Sequence, residues 1–319
     1  MKVFISGNIA SVGLEELESN GIAITQWNED RQITAAELID ACQGQDGLIS
    51  VGPNKINAKF LNACKHLKVI ALHSVGFDQV DVAEAKKLGI SIGNTPGVLS
   101  GATADTAFLL MLAVSRKAFF LHKKIIKGEW RNYEPTPELG IDLNGKTLGV
   151  FGLGKIGLEM AKKCSGAFQM PIIYHNRKRN PEAEKEVNAT YVSFKDLLAQ
   201  SDVISIHTAL TDETKGKFSL DVFKQMKAGA IFINTARGGI HNEQDLIRAL
   251  EEKVIWGAGL DVTNPEPMDR NNRLLQMENV AVLPHIGSAT KETRDAMAKL
   301  IVGNIMAGLE GKQLPHPIW

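Results

Sequence analysis

Short apolar segments alternate with helical patterns along most of the chain. In the first hundred residues, the apolar segments that predict strands are Val3–Ser6, Ile22–Thr25, Gly47–Val51, Val69–His73 and a weaker Ile90–Ile92. The helical patterns between them are Ala35–Ala41, Ala58–Ala63 and Val82–Leu88. Strands that alternate with helices in this way predict a parallel sheet with helices on both faces.

The alternation stops between Gly101 and Lys127, where the residues predict one long helix or two stacked helices. A loop containing Trp130 and Tyr133 follows. Strands are predicted again at Thr147–Phe151, Ile172–Tyr174, Val203–His207, Ala230–Asn234, Ala258–Asp261 and Val280–Leu283, with a last helix at Lys291–Glu310. The chain therefore contains two α/β segments, and its 319 residues fit two domains.

Composition and charge indicate an ordinary globular protein. Hydrophobic residues make up 44% of the chain, and the formal net charge is zero, which gives no indication of nucleic-acid binding. No apolar stretch approaches the ~20 residues of a membrane span. The apolar run within Met1–Gly7 is shorter than the apolar core of a signal peptide. Cys42, Cys64 and Cys164 form no CxxC pair. This spacing predicts no disulfide scaffold and no metal site, and it favours a reducing cytoplasm.

A glycine turn stands between a predicted strand and a predicted helix. It reads Gly152-Leu153-Gly154-Lys155-Ile156-Gly157 and precedes the helical pattern Leu158–Lys163. In such a setting Gly152 permits a tight turn, Gly154 lets backbone approach a pyrophosphate, and Gly157 lets the helix pack on the strand. The helix N-terminus offers N–H donors to the anion. The segment predicts a dinucleotide site, with a purely structural turn as the alternative.

The residues after the next strand indicate which dinucleotide is bound. An acidic residue that accepts from the ribose 2′-hydroxyl is expected there in NAD-binding domains. Here the strand is followed by Asn176, Arg177 and Lys178, with no carboxylate. Cationic groups bind a 2′-phosphate that a carboxylate would repel. We predict that NADP(H) is preferred over NAD(H); the alternative is that these cations are solvated surface charges.

Three more polar segments follow predicted strands of the second half. They are Ile231–Gly239 with Arg237, Leu260–Pro267 with Glu266, and Val282–Ala289 with His285. Open α/β sheets bind ligands at the carboxyl ends of their strands. Guanidinium suits a carboxylate through two parallel hydrogen bonds, and imidazole can donate a proton near neutral pH. Taken singly, each of these residues also has a purely structural interpretation.

Four segments in this order resemble the D-isomer-specific 2-hydroxyacid dehydrogenase family. They are the strand–GLGKIG–helix unit, I-N-T-A-R-G-G, G-L-D-V-T-N-P-E-P and L-P-H-I-G-S-A-T. The resemblance covers essentially the whole chain and is nearest to glyoxylate/hydroxypyruvate reductases and 2-ketogluconate reductases. It implies two doubly wound parallel-sheet domains. A Rossmann cofactor domain, about 100–287, would be inserted into a flavodoxin-like substrate domain formed by 1–99 with 288–319.

The resemblance also implies roles for single residues. Arg237 would bind the substrate carboxylate and polarise the keto group, and His285 would donate the proton. Glu266 would hydrogen-bond His285 and favour its charged form. The remaining substrate contacts would be the N–H groups of Val75 and Gly76, and Ser288. The predicted cofactor contacts are Thr103, Gly152, Gly154, Lys155, Ile156, Gly157, Asn176, Arg177, Lys178, His207, Thr208, Ala209, Thr235, Ala236, Asp261, His285 and Gly287.

Two departures from the family pattern stand out. Ala209 occupies a position where the family often has proline, and the acidic ribose residue of NAD-using members is absent. The resemblance further implies a homodimer formed through the cofactor domain. Its candidate contacts are the helix Ala107–Val114 and the loop with Trp130 and Tyr133, whose aromatic rings could reach the partner's active site.

The sequence therefore predicts an NADPH-preferring reductase of small 2-keto acids, glyoxylate and hydroxypyruvate among them, that forms D-2-hydroxy acids. Two alternatives stay open. One is a 2-ketogluconate or other D-2-hydroxyacid dehydrogenase that uses NAD(H). The other is a non-catalytic protein of the same fold that senses dinucleotide. Formate dehydrogenase is disfavoured, because that enzyme has glutamine where Glu266 stands.

Overall fold

The computed structural model describes all residues from Met1 to Trp319, and they form two compact units. The first unit comprises Met1–Leu99 and Ser288–Trp319, and the second comprises Ser100–Gly287. Each unit is built on its own sheet, and every strand pair in both sheets is parallel. The prediction of two parallel-sheet α/β domains is thereby confirmed.

The segment 1–99 alternates strictly between strands and helices. Its elements are β1 (Lys2–Ile5), α1 (Ser11–Ser19), β2 (Ala23–Gln26), α2 (Ala35–Ala41), β3 (Gly47–Ser50), α3 (Ala58–Ala63), β4 (Val69–Leu72), α4 (Val82–Leu88) and β5 (Ser91–Gly93). The strand order is β2-β1-β3-β4-β5. This order is the flavodoxin-like arrangement, in which the topological switch lies between β1 and β3.

The segment 100–287 begins with two helices and then resumes the alternation. Its elements are α5 (Ser100–Ser115), α6 (Ala118–Ile126), β6 (Leu148–Phe151), α7 (Lys155–Phe168), β7 (Ile172–His175), α8 (Pro181–Val187), β8 (Thr190–Tyr191), α9 (Phe194–Gln200), β9 (Val203–Ile206), α10 (Leu220–Phe223), β10 (Ile231–Asn234), α11 (Glu243–Glu251), β11 (Gly257–Leu260) and β12 (Val280–Val282). Two short 3₁₀ helices lie at Gly238–Ile240 and Arg273–Gln276. The strand order is β12-β11-β10-β9-β6-β7-β8, which is the Rossmann order extended by one strand.

The last helix, α12 (Lys291–Leu309), belongs to the first unit and packs on α1 and β4. Close approach is possible because Gly308 lacks a side chain; a Cβ there would lie 2.5 Å from Cβ of Val69. Asn304 is fully buried, and its amide donates to the carbonyl of Asn94 and accepts from the N–H of His316. The C-terminal segment is thus tied into the sheet that the N-terminal segment builds.

Each sheet has an apolar layer on both faces. The central strands are buried from end to end, as in β4 and β6, which is the burial that helices on both faces impose on a parallel sheet. Two separate apolar clusters cover the two faces of each sheet. The carboxyl ends of the strands are therefore the part of each sheet where polar loops can gather.

The structure departs from the predicted elements in several places. Residues 101–127 form two helices, with Lys117 between them in the left-handed region at φ 52°. Helices α1, α8, α9, α10 and α11 and strand β8 were not predicted. Most of the predicted dimer helix Ala107–Val114 packs inside the second unit, and only Leu109 is strongly exposed. None of the helices combines the length and the apolar character that a bilayer crossing demands.

Candidate active site

The glycine turn lies at the topological switch of the second sheet, where β6 pairs with β9 on one side and β7 on the other. Gly152 has φ +105°, and a Cβ there would lie 2.7 Å from the carbonyl carbon of His207 at the end of β9. A Cβ on Gly157 would lie 2.4 Å from the carbonyl oxygen of Gly152. Gly154 instead faces open space and begins α7 without a side-chain cap. The turn therefore leaves bare backbone and a helix N-terminus at the switch crevice.

The peptide groups of Leu153 are held by two asparagines of the loop after β7. The N–H of Leu153 donates to Oδ1 of Asn176 at 2.7 Å, and its carbonyl accepts from Nδ2 of Asn180 at 2.9 Å. The N–H of Asn180 in turn donates to the hydroxyl of Tyr174 at 3.0 Å. The glycine turn and the loop that carries the predicted cations are thus one hydrogen-bonded assembly.

The cations of this loop differ in their surroundings. Arg179 pairs with Glu184 at 2.8 Å and lies over the ring of Tyr191. Arg177 and Lys178 are exposed and have neither an ion pair nor a hydrogen bond within the protein. Two cations beside the glycine turn are therefore available to an anionic ligand.

The predicted cofactor residues fall at the carboxyl edge of the second sheet, with Thr103 in the first turn of α5. Lys155 and Ile156 begin α7, and the others follow four strands: Thr208 and Ala209 after β9, Thr235 and Ala236 after β10, Asp261 after β11, and Gly287 after β12. Thr235 is buried, and its hydroxyl has no hydrogen-bond partner. Buried polar groups normally find partners, so this hydroxyl fits a ligand at this edge.

His207 carries a second orphaned atom at the same edge. Its Nε2 contacts the hydroxyl of Ser205 at 2.8 Å, while the buried Nδ1 has no partner. Burial lowers the pKa of His207 to about 3, so its imidazole is neutral. The bare glycine backbone, the two free cations and the two orphaned polar atoms together fit a nicotinamide dinucleotide.

The buried carboxylate of Asp261 holds the loop after β12. Its Oδ1 accepts from the N–H of Ile286 and its Oδ2 from the N–H of Gly287, both at 2.8 Å. His285 stands just before these two amides with φ +55°, in a left-handed conformation that is uncommon for residues with a side chain. Burial raises the pKa of Asp261, which the two amide hydrogen bonds partly offset. The carboxylate of Asp261 therefore holds the strained backbone of His285 through the two amides that follow it.

Glu266 connects the loop after β11 to His285. Its Oε2 lies 3.0 Å from Nδ1 of His285, and its Oε1 accepts from the N–H of Thr263 at 2.9 Å. Burial, the largest single influence, acts to raise the pKa of Glu266. Hydrogen bonds from His285 and Thr263, together with the charge of Arg237, outweigh burial and leave the pKa of Glu266 below its usual range. The ionised carboxylate of Glu266 thus contacts the imidazole of His285, whose side chain is about half exposed.

The loop that carries Arg237 is organised by Asn234, which is fully buried at the end of β10. Its Oδ1 accepts from the N–H of Ala236, and its Nδ2 donates to the carbonyl of Arg237 and faces Nδ1 of His241. A Cβ on Gly238 would lie 2.0 Å from the carbonyl oxygen of Thr263, so this loop presses directly on the loop of Glu266. The sequence motifs with Arg237, Glu266 and His285 therefore converge within the second unit.

The predicted substrate turn lies in the first unit, after β4. The hydroxyl of Ser74 donates to the carbonyl of Gly76 at 2.7 Å, and Nδ2 of Asn94 donates to the carbonyl of Val75 at 2.8 Å. These bonds occupy the carbonyls of the turn, whereas the N–H groups of Val75 and Gly76 donate no hydrogen bond within the protein. The turn therefore offers two free amides. Ser288, the other predicted substrate contact in this unit, is half-buried.

Several residues that shape the site were not singled out by sequence reasoning. They are Asn94, Asn180, Asn234 and His241, whose side chains bond to the backbone or side chains of site residues. A polar residue at the end of an apolar strand was a usable signal for Asn234. For the others the partner lies 7 to 27 residues away, so no local pattern marks them.

Comparison with known proteins identifies a family. The family model described as D-isomer specific 2-hydroxyacid dehydrogenase, NAD binding domain, matches residues 108–287. A glyoxylate reductase of Thermococcus litoralis is 42% identical over 99% of this chain and 96% of its own length. A protein of Thermus thermophilus of known crystal structure superposes with a TM-score of 0.92 at 38% identity and covers all of both chains.

One further solved structure bears on the cofactor. It is an NADPH-dependent glyoxylate/hydroxypyruvate reductase of Sinorhizobium meliloti in complex with NADP and malonate. It superposes with a TM-score of 0.86 at 30% identity, and the match covers 99% of this chain and 96% of the other. The matched fold of this chain is thus found in an oxidoreductase with a bound dinucleotide.

The buried His241 predicts a measurable acid sensitivity. Burial lowers its pKa to about 4 from an ordinary 6.5, so the folded protein keeps it neutral while the unfolded chain takes up a proton as pH falls. Its contribution to stability is complete above pH 6.5 and is lost as pH falls toward 4. From pH 7 to pH 5 this loss is about 2 kcal/mol. Urea unfolding at both pH values should show that His241→Asn, which keeps the acceptor for Asn234, loses correspondingly less stability than the wild type.

The matched control is His122→Asn, which changes an exposed histidine of the same unit. It should lose as much stability between the two pH values as the wild type does. An equal pH dependence in His241→Asn and the wild type would contradict the assignment of a neutral, buried His241.

Proposed function

The chain belongs to the D-isomer-specific 2-hydroxyacid dehydrogenase family of oxidoreductases, and we propose that it reduces glyoxylate and hydroxypyruvate to D-2-hydroxy acids, with NADPH preferred over NADH. The family assignment rests on the matched domain and on full-length relatives. The choice of substrate is supported by the names of the relatives, which include a glyoxylate reductase and a glyoxylate/hydroxypyruvate reductase.

The observation that carries the proposal is the contact between His285 and Glu266. An imidazole that is half exposed can meet a substrate, and its other face is held by the carboxylate of Glu266 at 3.0 Å. We assign His285 as the group that donates a proton to the reduced oxygen. Glu266 holds Nδ1, so the donated proton would come from Nε2, and Asp261 keeps the loop of His285 in place.

Arg237 is the proposed ligand of the substrate carboxylate. Its guanidinium can form two parallel hydrogen bonds to a carboxylate and can polarise the neighbouring keto oxygen. One guanidinium nitrogen already donates to the carbonyl of Ala236 at 2.7 Å, which limits the rotation of the side chain. In the first unit, the free amides of Val75 and Gly76 are further proposed donors to a substrate carboxylate.

A bound nicotinamide dinucleotide supplies the hydride for this reduction. The residues proposed to hold it are those of the glycine turn, with Thr103, His207, Thr208, Ala209, Thr235, Ala236, Asp261, His285 and Gly287 at the strand ends. The neutral imidazole of His207 and the hydroxyl of Thr235 would gain the partners that they lack within the protein. Because these groups are fixed before the ligand binds, little side-chain ordering opposes binding.

The proposed preference for NADPH rests on the loop after β7. Arg177 and Lys178 are free, whereas Asn176 is engaged with Leu153, and no carboxylate stands where a ribose 2′-hydroxyl would be accepted. A 2′-phosphate would supply the anionic partner that these two cations do not have within the protein. The relative that is named NADPH-dependent was solved with NADP, which supports the same assignment.

A homodimer is proposed through the apolar surface around α6. Ile126, Trp130 and Tyr133 are exposed by 73%, 70% and 85% of their surface, and Leu139 lies in the loop that follows. Large apolar residues that are exposed next to one another commonly mark an interface. Helix α5, which contains the mostly buried Ala107–Val114 segment, packs against α6, and Leu109 is its exposed apolar residue.

Substitution at the two central residues tests the mechanism. Arg237→Ala should lower kcat/KM for glyoxylate about 10²- to 10⁴-fold, because two charge-assisted hydrogen bonds to the carboxylate are lost. His285→Ala should lower kcat about 10²- to 10⁴-fold with a smaller effect on KM, because the proton donor is lost. Steady-state assays at 340 nm measure both. Arg270→Ala, at an exposed position, is the control, and near-normal kinetics in either variant would remove that residue from the mechanism.

The cofactor preference is tested by the ratio of kcat/KM with NADPH to that with NADH. We expect a ratio above one in the wild type. The double substitution of Arg177 and Lys178 by alanine should raise KM for NADPH about tenfold or more and leave KM for NADH nearly unchanged. Arg177→Asp should shift selectivity further toward NADH. Lys185→Ala, an exposed cation of the adjacent α8, is the control, and a wild-type preference for NADH would refute the assignment.

The oligomeric state is tested by light scattering. The wild type should have about twice the 34.7 kDa mass of one chain. Replacing Ile126 and Tyr133 together by glutamate should shift the mass toward one chain, because charge would be buried at the interface. Lys224→Glu, at an exposed position directly after α10, should leave the mass unchanged. A monomeric wild type at tens of micromolar would rule out the proposed dimer.

A further inference from the structure

A buried histidine and a half-buried arginine face each other in the first unit. His73 follows β4 and is only 8% exposed. Its Nδ1 lies 3.5 Å from Nη1 of Arg294, which belongs to the first turn of α12. The other ring nitrogen, Nε2, is buried without a hydrogen-bond partner. The two side chains come from segments 221 residues apart, so tertiary packing alone brings them together.

The chemistry of the pair fixes the tautomer of His73. A guanidinium only donates hydrogen bonds, so Nδ1 of His73 accepts and Nε2 carries the proton. Burial, followed by the charge of Arg294, lowers the pKa of His73 to about 4, which keeps the ring neutral. Apart from the bond between the two side chains, their N–H groups have no hydrogen-bond acceptor within the protein.

Arg294 differs from the other charged groups near it. Arg31, the other arginine of the first unit, pairs with Glu29 and Glu37, and Lys291 in the same turn of α12 pairs with Asp295. Arg294 has no carboxylate within ion-pair distance, and burial lowers its pKa. A partly desolvated cation without an anion is unfavourable unless a ligand supplies the missing oxygen atoms.

The position of the pair indicates which ligand that is. His73 directly precedes the Ser74-Val75-Gly76 turn, whose amides are the proposed donors to the substrate carboxylate. Consecutive Cα atoms are about 3.8 Å apart, so Val75 lies within about 8 Å of His73. A 2-keto acid held at these amides would lie next to His73, the residue that Arg294 contacts.

We propose that Arg294 recognises a hydroxyl or carboxylate on the carbon beyond the keto group, and that His73 positions the guanidinium. This inference rests on the proposed function and narrows it. The substrate class becomes 2-keto acids with a second oxygen-bearing group, such as hydroxypyruvate. Glyoxylate has no such carbon and gains nothing from Arg294.

The test compares hydroxypyruvate with glyoxylate, both with NADPH. Arg294→Met should lower kcat/KM for hydroxypyruvate about 10- to 100-fold, as expected for the loss of a hydrogen bond from a charged donor. The value for glyoxylate should change less than about threefold, because glyoxylate makes no contact with Arg294. Arg294→Lys should retain part of the preference, because it keeps a cationic donor. Lys299→Met, at an exposed position on the same helix, is the matched control and should leave the ratio unchanged.

Two variants of His73 separate positioning from a merely structural role. His73→Leu should raise KM for hydroxypyruvate with little change in kcat, because the guanidinium loses the acceptor that orients it. His73→Gln should largely restore KM, since its amide oxygen can accept from Arg294. An equal loss on both substrates in these variants would assign His73 a structural role and overturn its part of the proposal.

The remaining outcomes are distinguishable. An unchanged substrate ratio in Arg294→Met, or an equal loss on both substrates, overturns the inference while the reductase function stands. If Arg294→Met does not fold, as judged by circular dichroism, the ratio in Arg294→Lys decides in the same way. A wild type that reduces neither substrate refutes the proposed function, and the inference fails with it.

Discussion

The carboxylate of Asp261 is the contact on which the arrangement of the site depends. It is almost fully buried at the end of β11, and it accepts the two amides that follow His285 at the end of β12. These two bonds help to hold the left-handed backbone of His285. With them, the loops after two neighbouring strands act as one body, and the imidazole meets Glu266 at a fixed distance. A single buried anion thus sets the position of the proposed proton donor.

Hydrogen bonds also connect the glycine turn of the second sheet to the loop after β7. Leu153, between the first two glycines, is bonded on both sides by Asn176 and Asn180, so the turn cannot move without the loop after β7. Arg179 is held by Glu184, which leaves Arg177 and Lys178 as the free cations of that loop. The glycine turn and the loop that carries Arg177 and Lys178 are therefore positioned by one hydrogen-bonded assembly. Selectivity for the dinucleotide would depend on the asparagines as well as on the cations.

The sequence was informative where a residue acts through its own local pattern. Fully apolar strands, the GLGKIG turn and the motifs with Arg237 and His285 were readable because strand burial and turn geometry are local constraints. Helices such as α9 and α11 were missed although Ser193 and Asn242 cap them and, in α11, Leu246, Ala249 and Leu250 follow a helical spacing. The contacts of Asn180 and Asn94 could not be predicted, since their partners are fixed only by tertiary packing.

The histidines show why packing, rather than residue type, decides function here. His73, His207 and His241 sit near strand ends, as His285 does, but burial lowers the pKa of each of the three to between about 3 and 4. They remain neutral at the pH of a cell, where they can accept or donate hydrogen bonds but cannot store a proton. His285 is half exposed, and its Nδ1 lies 3.0 Å from the carboxylate of Glu266. Burial thus distinguishes these three neutral histidines from His285, the proposed proton donor.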